Sequence, residues 1–147
     1  MKLSGRIGKK RGQGTDCYTP AERSYVMSRI RSSGNRTTEI RFLRYCRRYG
    51  IKGWKRGSKL FGKPDFVFSE RKLAVFVDGD FWHGNPKTHR TPKSNAEYWT
   101  KKIHANKRRD RLVNRTLKAQ GWQTFRVWES DLRSDMEAVM ARLRLLV

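Results

Sequence analysis

A chain of 147 residues, 36% of them hydrophobic, suits one domain with one modest core. Lys and Arg number 35 against 13 Asp and Glu, so the formal net charge is +22 and the sequence pI is about 11.0. No run approaches the ~18 apolar residues of a membrane span, the basic N-terminus lacks the apolar segment of a secretory signal, and Cys17 and Cys46 stand in no CxxC or CxxH zinc pattern. The reading is a cytoplasmic protein with reduced thiols, whose field attracts polyanions and releases counterions from nucleic acid.

Residues 1–18 are expected to be a flexible basic arm and 19–147 the folded domain. "TPAERSYVMSRI" opens a helix with Thr19 as N-cap, Pro20 at N1 and Glu22 completing a capping box. "NRTTEIRFLRYCRRYG" predicts a second helix. It has Ile40, Leu43 and Cys46 on one stripe, Arg41, Arg44, Arg47 and Arg48 on the other, and Gly50 as the stop. The period then shortens. "KPDFVFS" and "KLAVFVDG", joined by "SERK", predict a hairpin, with a weaker strand near Lys52–Lys55 beside it. "GNPKTHRTPK" is a polar basic loop. Ser94 and Glu97 form a capping box for a long helix to Gln120, closed by Gly121, and "WQTFRVWE" is a third strand. Ser134 and Glu137 cap a last helix, with Met136, Val139, Met140, Leu143 and Val147 on one face. The order predicts an α/β fold, a small mixed β-sheet flanked by helices.

The few acids carry the chemistry to be considered. Asp65 follows Pro64 inside a strand among Phe66, Val67 and Phe68, so its carboxylate is half-buried and needs a partner or a metal. Asp78 ends the neighbouring strand. With strands ~4.8 Å apart the two share reach of one cation, and Mg²⁺ suits such a pair. Pro-Asp with a second acid on the next strand is the skeleton of restriction-endonuclease-like nucleases, although Asp80 stands where that motif places lysine. Glu39 is equally a helix-dipole carboxylate, Asp110 an i,i+4 ion pair, and His83 a surface turn residue. The turn "DFWH" sets Phe81 and Trp82 beside His83, between a strand and a polar loop.

Taken together, "TTEIRFLRY", "GKPDFVF", "AVFVDGDFWHG", "EYWTKKIHANKRRDR" and "GWQTFRVWE" resemble, in order and spacing, the very short patch repair (Vsr-type) DNA mismatch endonucleases. The likeness runs over about residues 19–132. It extends to phage and intron-encoded homing endonucleases, which share the set of acids and histidine. The resemblance implies a restriction-endonuclease-like core, with Asp65 as central Mg²⁺ ligand and the Val77 carbonyl as a second contact. It makes His83 the general base, Asp110 its orienting carboxylate, and Glu39 an outer-shell acid acting through water. Asp78 stands where the mismatch enzymes carry a second histidine and is expected to make the metal site more anionic. Phe81 and Trp82, with Met27 from the N-terminal helix, would wedge into the base stack. Lys87, His89, Arg90, Lys93, Lys101 and Lys102 are expected to contact DNA, and His104 to lie on the surface nearby.

The resemblance implies a structural zinc held by cysteines and histidine, one cysteine just before the aromatic pair and another in the final strand. Here those positions are Asp80 and Ser130, with Asn85 and Lys87 between, so no structural zinc is expected. The implied activity is a Mg²⁺-dependent nick in double-stranded DNA at or near a T:G mismatch, by a monomer in the cytoplasm, associated with the nucleoid, with a repair-protein partner left open. A homing-type double-strand cutter and a non-catalytic basic DNA-binding protein are the alternatives.

Overall fold

The structure, a computed structural model, describes Ala21 and residues 38–147. The basic arm, the N-terminal helix signals at Thr19 and Glu22, Cys17 and Met27 lie outside the described residues.

Helix α1 spans Glu39–Arg48 and buries Phe42, Leu43 and Cys46. It ends as its glycine requires. Gly50 takes φ 66°, its N–H donates to the Arg47 carbonyl at 3.2 Å, and the Ile51 N–H donates to the Cys46 carbonyl at 2.8 Å. Burial pushes the Cys46 thiol up to about 12, so this cysteine is core rather than nucleophile.

The hairpin forms as expected. β1 (Phe66–Phe68) pairs antiparallel with β2 (Leu73–Asp78), Phe66 opposite Val75, around a single 3₁₀ turn at Ser69–Arg71. The weak strand near Lys52–Lys55 shrinks to one bridge, Lys55 to Val67. Asp65 stands one residue before β1 rather than inside it, although its N–H still donates to the Val75 carbonyl at 2.9 Å and prolongs the ladder.

After β2 the chain makes a one-turn helix, α2 (Asp80–His83), where the sequence suggests a turn. Helix α3 (Ala96–Ala119) follows. The Ser94–Glu97 capping box does not form: Asn95 occupies the N-cap position at φ 54°, with no side-chain cap bond. β3 (Gln123–Trp128) lies parallel to β2, giving the order β1-β2-β3. β3 runs straight into α4 (Glu129–Ser134). The last helix, α5 (Met136–Arg144), is capped by Asp135, whose side chain accepts from the Ala138 N–H at 3.4 Å, and not by Ser134.

The sheet is thus small, mixed and flanked by helices, an α/β restriction-endonuclease-like core. Every residue of β2 is buried because helices cover both faces. Leu73, Val75, Val77, Phe125 and Val127 point to α1 and α5, whose Phe42, Met140 and Leu143 complete the main core. The alternate residues Ala74 and Phe76 face Val113 and Leu117 of α3. Period-2 alternation therefore puts Asp78 on the α3 side, the link from strand pattern to site. Among the described residues no helix is long and apolar enough to cross a membrane.

Candidate active site

At the C-terminal end of β2 a cleft of about 490 Å³ opens between the sheet and α3. Glu39, Asp65, Val77, Asp78, His83 and Asp110, six residues from four segments of chain, all line it.

Asp65 enters from the start of β1. Its Oδ2 accepts the Val77 N–H at 2.8 Å, and among the described residues it has no ion pair. Burial pushes its carboxyl up to about 6; the Val77 N–H and His83 pull it down, while the charges of Glu39 and Asp78 push it further up. This is a carboxylate short of positive charge.

His83 is the last residue of α2, and Asp110 shares a face of α3 with the sheet-facing Val113 and Leu117. The two meet at 2.7 Å, His83 Nδ1 to Asp110 Oδ2. Burial alone would raise the Asp110 carboxyl, but the His83 hydrogen bond and the charges of His83, Arg126 and Arg109 outweigh it and hold it below the usual carboxylate value. An ionised carboxylate only accepts, so Nδ1 carries a proton and Nε2 is the nitrogen left to face the cleft chemistry. Asp78 Oδ1 lies 3.7 Å from the same Nδ1.

Asp78 has a partner the sequence reading did not foresee. Both its oxygens accept from Arg126 Nη1, at 3.0 and 2.8 Å. Arg126 comes from β3, on the same face of the sheet as Phe76, and its guanidinium lies 4.4 Å over the Phe76 ring. Glu39 likewise pairs with Arg56, whose Nε donates to Oε1 at 3.0 Å and whose Nη2 also bonds that oxygen. Among the described residues no group of three His, Cys, Asp or Glu side chains converges as a metal cage. What the cleft offers a cation is one underpaired carboxylate beside backbone.

The aromatic turn is clamped at both ends. At its start, Asn85 is fully buried. It donates from Nδ2 to Asp80 Oδ1 at 2.7 Å and to Ser130 Oγ at 3.2 Å, and the Ser130 hydroxyl donates to the same Asp80 oxygen at 2.9 Å. The Lys87 N–H closes the loop onto Asn85 Oδ1 at 3.0 Å. At its end, Asn106 donates to the Trp82 carbonyl at 2.7 Å. Gly84 (φ 61°) packs so tightly that a Cβ there would meet Ile103 and Lys107 at 2.7 and 2.6 Å.

Phe81 and Trp82 are half-buried, edge-on to each other at 5.3 Å, and both lean on buried Trp99. His89 is half-buried. Its ring tucks to within 5.9 Å of Phe81, and its Nδ1 is buried with no hydrogen-bond partner among the described residues. Lys87, Arg90, Lys93, Lys101, Lys102 and His104 are exposed, Lys101 in an i,i+4 pair with Glu97 at 2.7 Å.

A protein-family model described as "DNA mismatch endonuclease Vsr" matches residues 15–89. The chain is 37% identical over 134 residues to the type II nicking enzyme V.NmeDIP of Neisseria meningitidis serogroup C, covering 90% of each chain. It is 39% identical over 132 residues to the type II nicking enzyme V.XorIIP of Xanthomonas oryzae pv. oryzae, covering 88% of this chain and 95% of that one. To the DNA mismatch endonuclease Vsr of Escherichia coli (strain K12) it is 32% identical over 119 residues, covering 80% and 76%.

Proposed function

Because this chain belongs to the Vsr family of DNA mismatch endonucleases and is a DNA endonuclease of the nicking type, we propose that it nicks one strand at or near a T:G mismatch, with Mg²⁺ as cofactor. The observation that carries the reading is the His83–Asp110 pair at 2.7 Å, set in one cleft with Asp65.

The donor set fits a hard divalent ion. Asp65 is half-buried, held up to about 6 by burial and, among the described residues, without a cation of its own, and Mg²⁺ needs only one or two carboxylates, with waters and phosphate oxygens completing its shell. Asp65 and the Val77 carbonyl would hold it, Glu39 acting from outside through water. Asp78, read from the sequence as a further ligand, is engaged by Arg126 and contributes charge. When bound, the ion supplies charge neutralisation at the phosphate. His83 Nε2 takes a proton from the attacking water, and Asp110 fixes the tautomer and steadies the imidazolium that forms. Phe81 and Trp82, braced from below by Trp99, enter the base stack at the mismatch, and the basic loop and α3 track the backbone. Zinc suits the turn poorly: a carboxylate, an amide and a hydroxyl replace the sulfur and imidazole it prefers, and all three are spent on one another.

Incubation with Mg²⁺ and two end-labelled duplexes, one T:G mismatched and one matched, tests the reading. A nick confined to the mismatched duplex is the expected result, and equal cutting of both removes the mismatch from the proposal. Cleavage of both strands at one site would favour the homing-type alternative.

A further inference from the structure

Resting on that hydrolytic reading, we propose that Arg126 is a further catalytic residue, donating from Nη2 to the phosphate under attack, and that Asp78 and Asn114 position it. A guanidinium has five N–H donors in a rigid plane. Two are committed here: Nε–H to Asn114 Oδ1 at 3.0 Å, and one Nη1–H shared between the two Asp78 oxygens at 3.0 and 2.8 Å. The guanidinium carbon lies 4.4 Å over the centre of the Phe76 ring. Nη2 is different. Its nearest acidic oxygen, Asp110 Oδ1, is 3.5 Å away, and it makes no hydrogen bond among the described residues. It belongs to a side chain 21% exposed that lines the cleft with Asp65 and His83.

This arrangement is what electrostatic preorganisation demands. The charge is locked in place before substrate arrives, so it needs no reorientation as charge develops on the phosphate. Lys63 and Arg109 also line the cleft, but both are exposed. A structural role alone explains the pair poorly, since a buried ion pair adds little to stability over apolar residues of similar volume. In the reaction, the water oxygen bonds to phosphorus as one P–O ester bond breaks. The water proton goes to His83 Nε2, and the departing oxygen takes a proton from solvent. Nη2 meets the charge on the non-bridging oxygens in between.

The test is single-turnover nicking, in Mg²⁺, of a duplex the wild-type protein cuts, with binding measured separately at the same salt. Arg126→Ala is expected to lower the rate about 10²–10³-fold and to leave affinity within about threefold. Added guanidinium chloride at millimolar concentration is expected to recover at least about tenfold of the loss. Since the substitution strands a buried carboxylate, Arg126→Ala combined with Asp78→Asn is measured beside it, and the same losses and rescue are expected. A rate within about threefold of wild type, or a loss that guanidinium leaves unchanged in both variants, overturns the proposal. If the wild-type protein itself cuts no duplex, the hydrolytic reading fails, and that is seen before any variant is compared.

Discussion

The two faces of the sheet are built for different purposes. Toward α1 and α5 the strands present Leu73, Val75, Val77, Phe125 and Val127, closed over by Phe42, Met140 and Leu143, with hardly a polar atom among them. Toward α3 the apolar contacts are few, Ala74 and Phe76 against Val113 and Leu117, and they give way at the end of β2 to Asp78, Arg126, His83 and Asp110. The same two strands serve both, because successive side chains alternate. One face supplies the stability, and the other holds charges at distances that stability alone does not call for.

The contrast is most exposed at the aromatic turn, where apolar groups sit on the chemical side. Phe81→Ala with Trp82→Ala is expected to weaken mismatched-duplex binding by roughly 2–6 kcal/mol, at ~1–3 per stacking ring. Equilibrium binding to a T:G duplex measures it. An unchanged affinity would return both rings to ordinary packing around Trp99. On the opposite face, Met140→Ala is expected to cost ~2–5 kcal/mol of folding stability, as for a fully buried large-to-small change. Denaturant unfolding reads this, and nicking by the folded fraction should be unaltered. A specific loss of turnover would blur the division between the faces.

The charged side carries its own signature in pH. Asp65 titrates near 4 unfolded and about 6 folded. Between those values the unfolded chain has released the proton while the folded chain keeps it, so stability falls as pH rises from ~4 to ~6, by up to ~3 kcal/mol, and then levels off. In chelator, Asp65→Asn should therefore stabilise the protein at pH 8 and change little at pH 4. Mg²⁺ should raise the melting temperature of the wild-type protein alone. Asp110 acts in the opposite sense: its lowered value makes a contribution present above ~4 that is lost as pH falls further. A smaller effect belongs to the clamp. Asn85→Ala leaves Asp80 and Ser130 short of a donor and should cost ~1–3 kcal/mol in thermal unfolding.

Much of this is legible from residues alone. The hairpin follows from alternating β-branched and aromatic runs. The glycine stops at Gly50 and Gly121 follow from φ values of 66° and 81° that other residues rarely adopt. The acids and His83 stand out because acids are scarce in so basic a chain. What escaped depends on register or on missing signals. Arg126 reaches Asp78 only because β2 and β3 run parallel with Phe76 opposite Arg126 and Asp78 opposite Trp128, a diagonal pairing that no local pattern encodes. The Arg56–Glu39 pair joins residues 17 apart through a loop without regular structure. Helix α4 is hidden because Trp128 stands at its N-cap, where no capping side chain announces it. The Ser94–Glu97 box was a signal the chain does not use, since Asn95 takes a left-handed conformation there.

The most direct measurement is single-turnover cleavage of one T:G duplex in Mg²⁺ by the wild-type protein and by His83→Ala, with binding followed in parallel. The expected result is a nick in one strand by the wild-type protein and a rate lower by ~10²–10⁴-fold for the variant, with equal affinity. Cleavage by His83→Ala at the wild-type rate would contradict the assignment of the cleft as the place where the phosphodiester is broken.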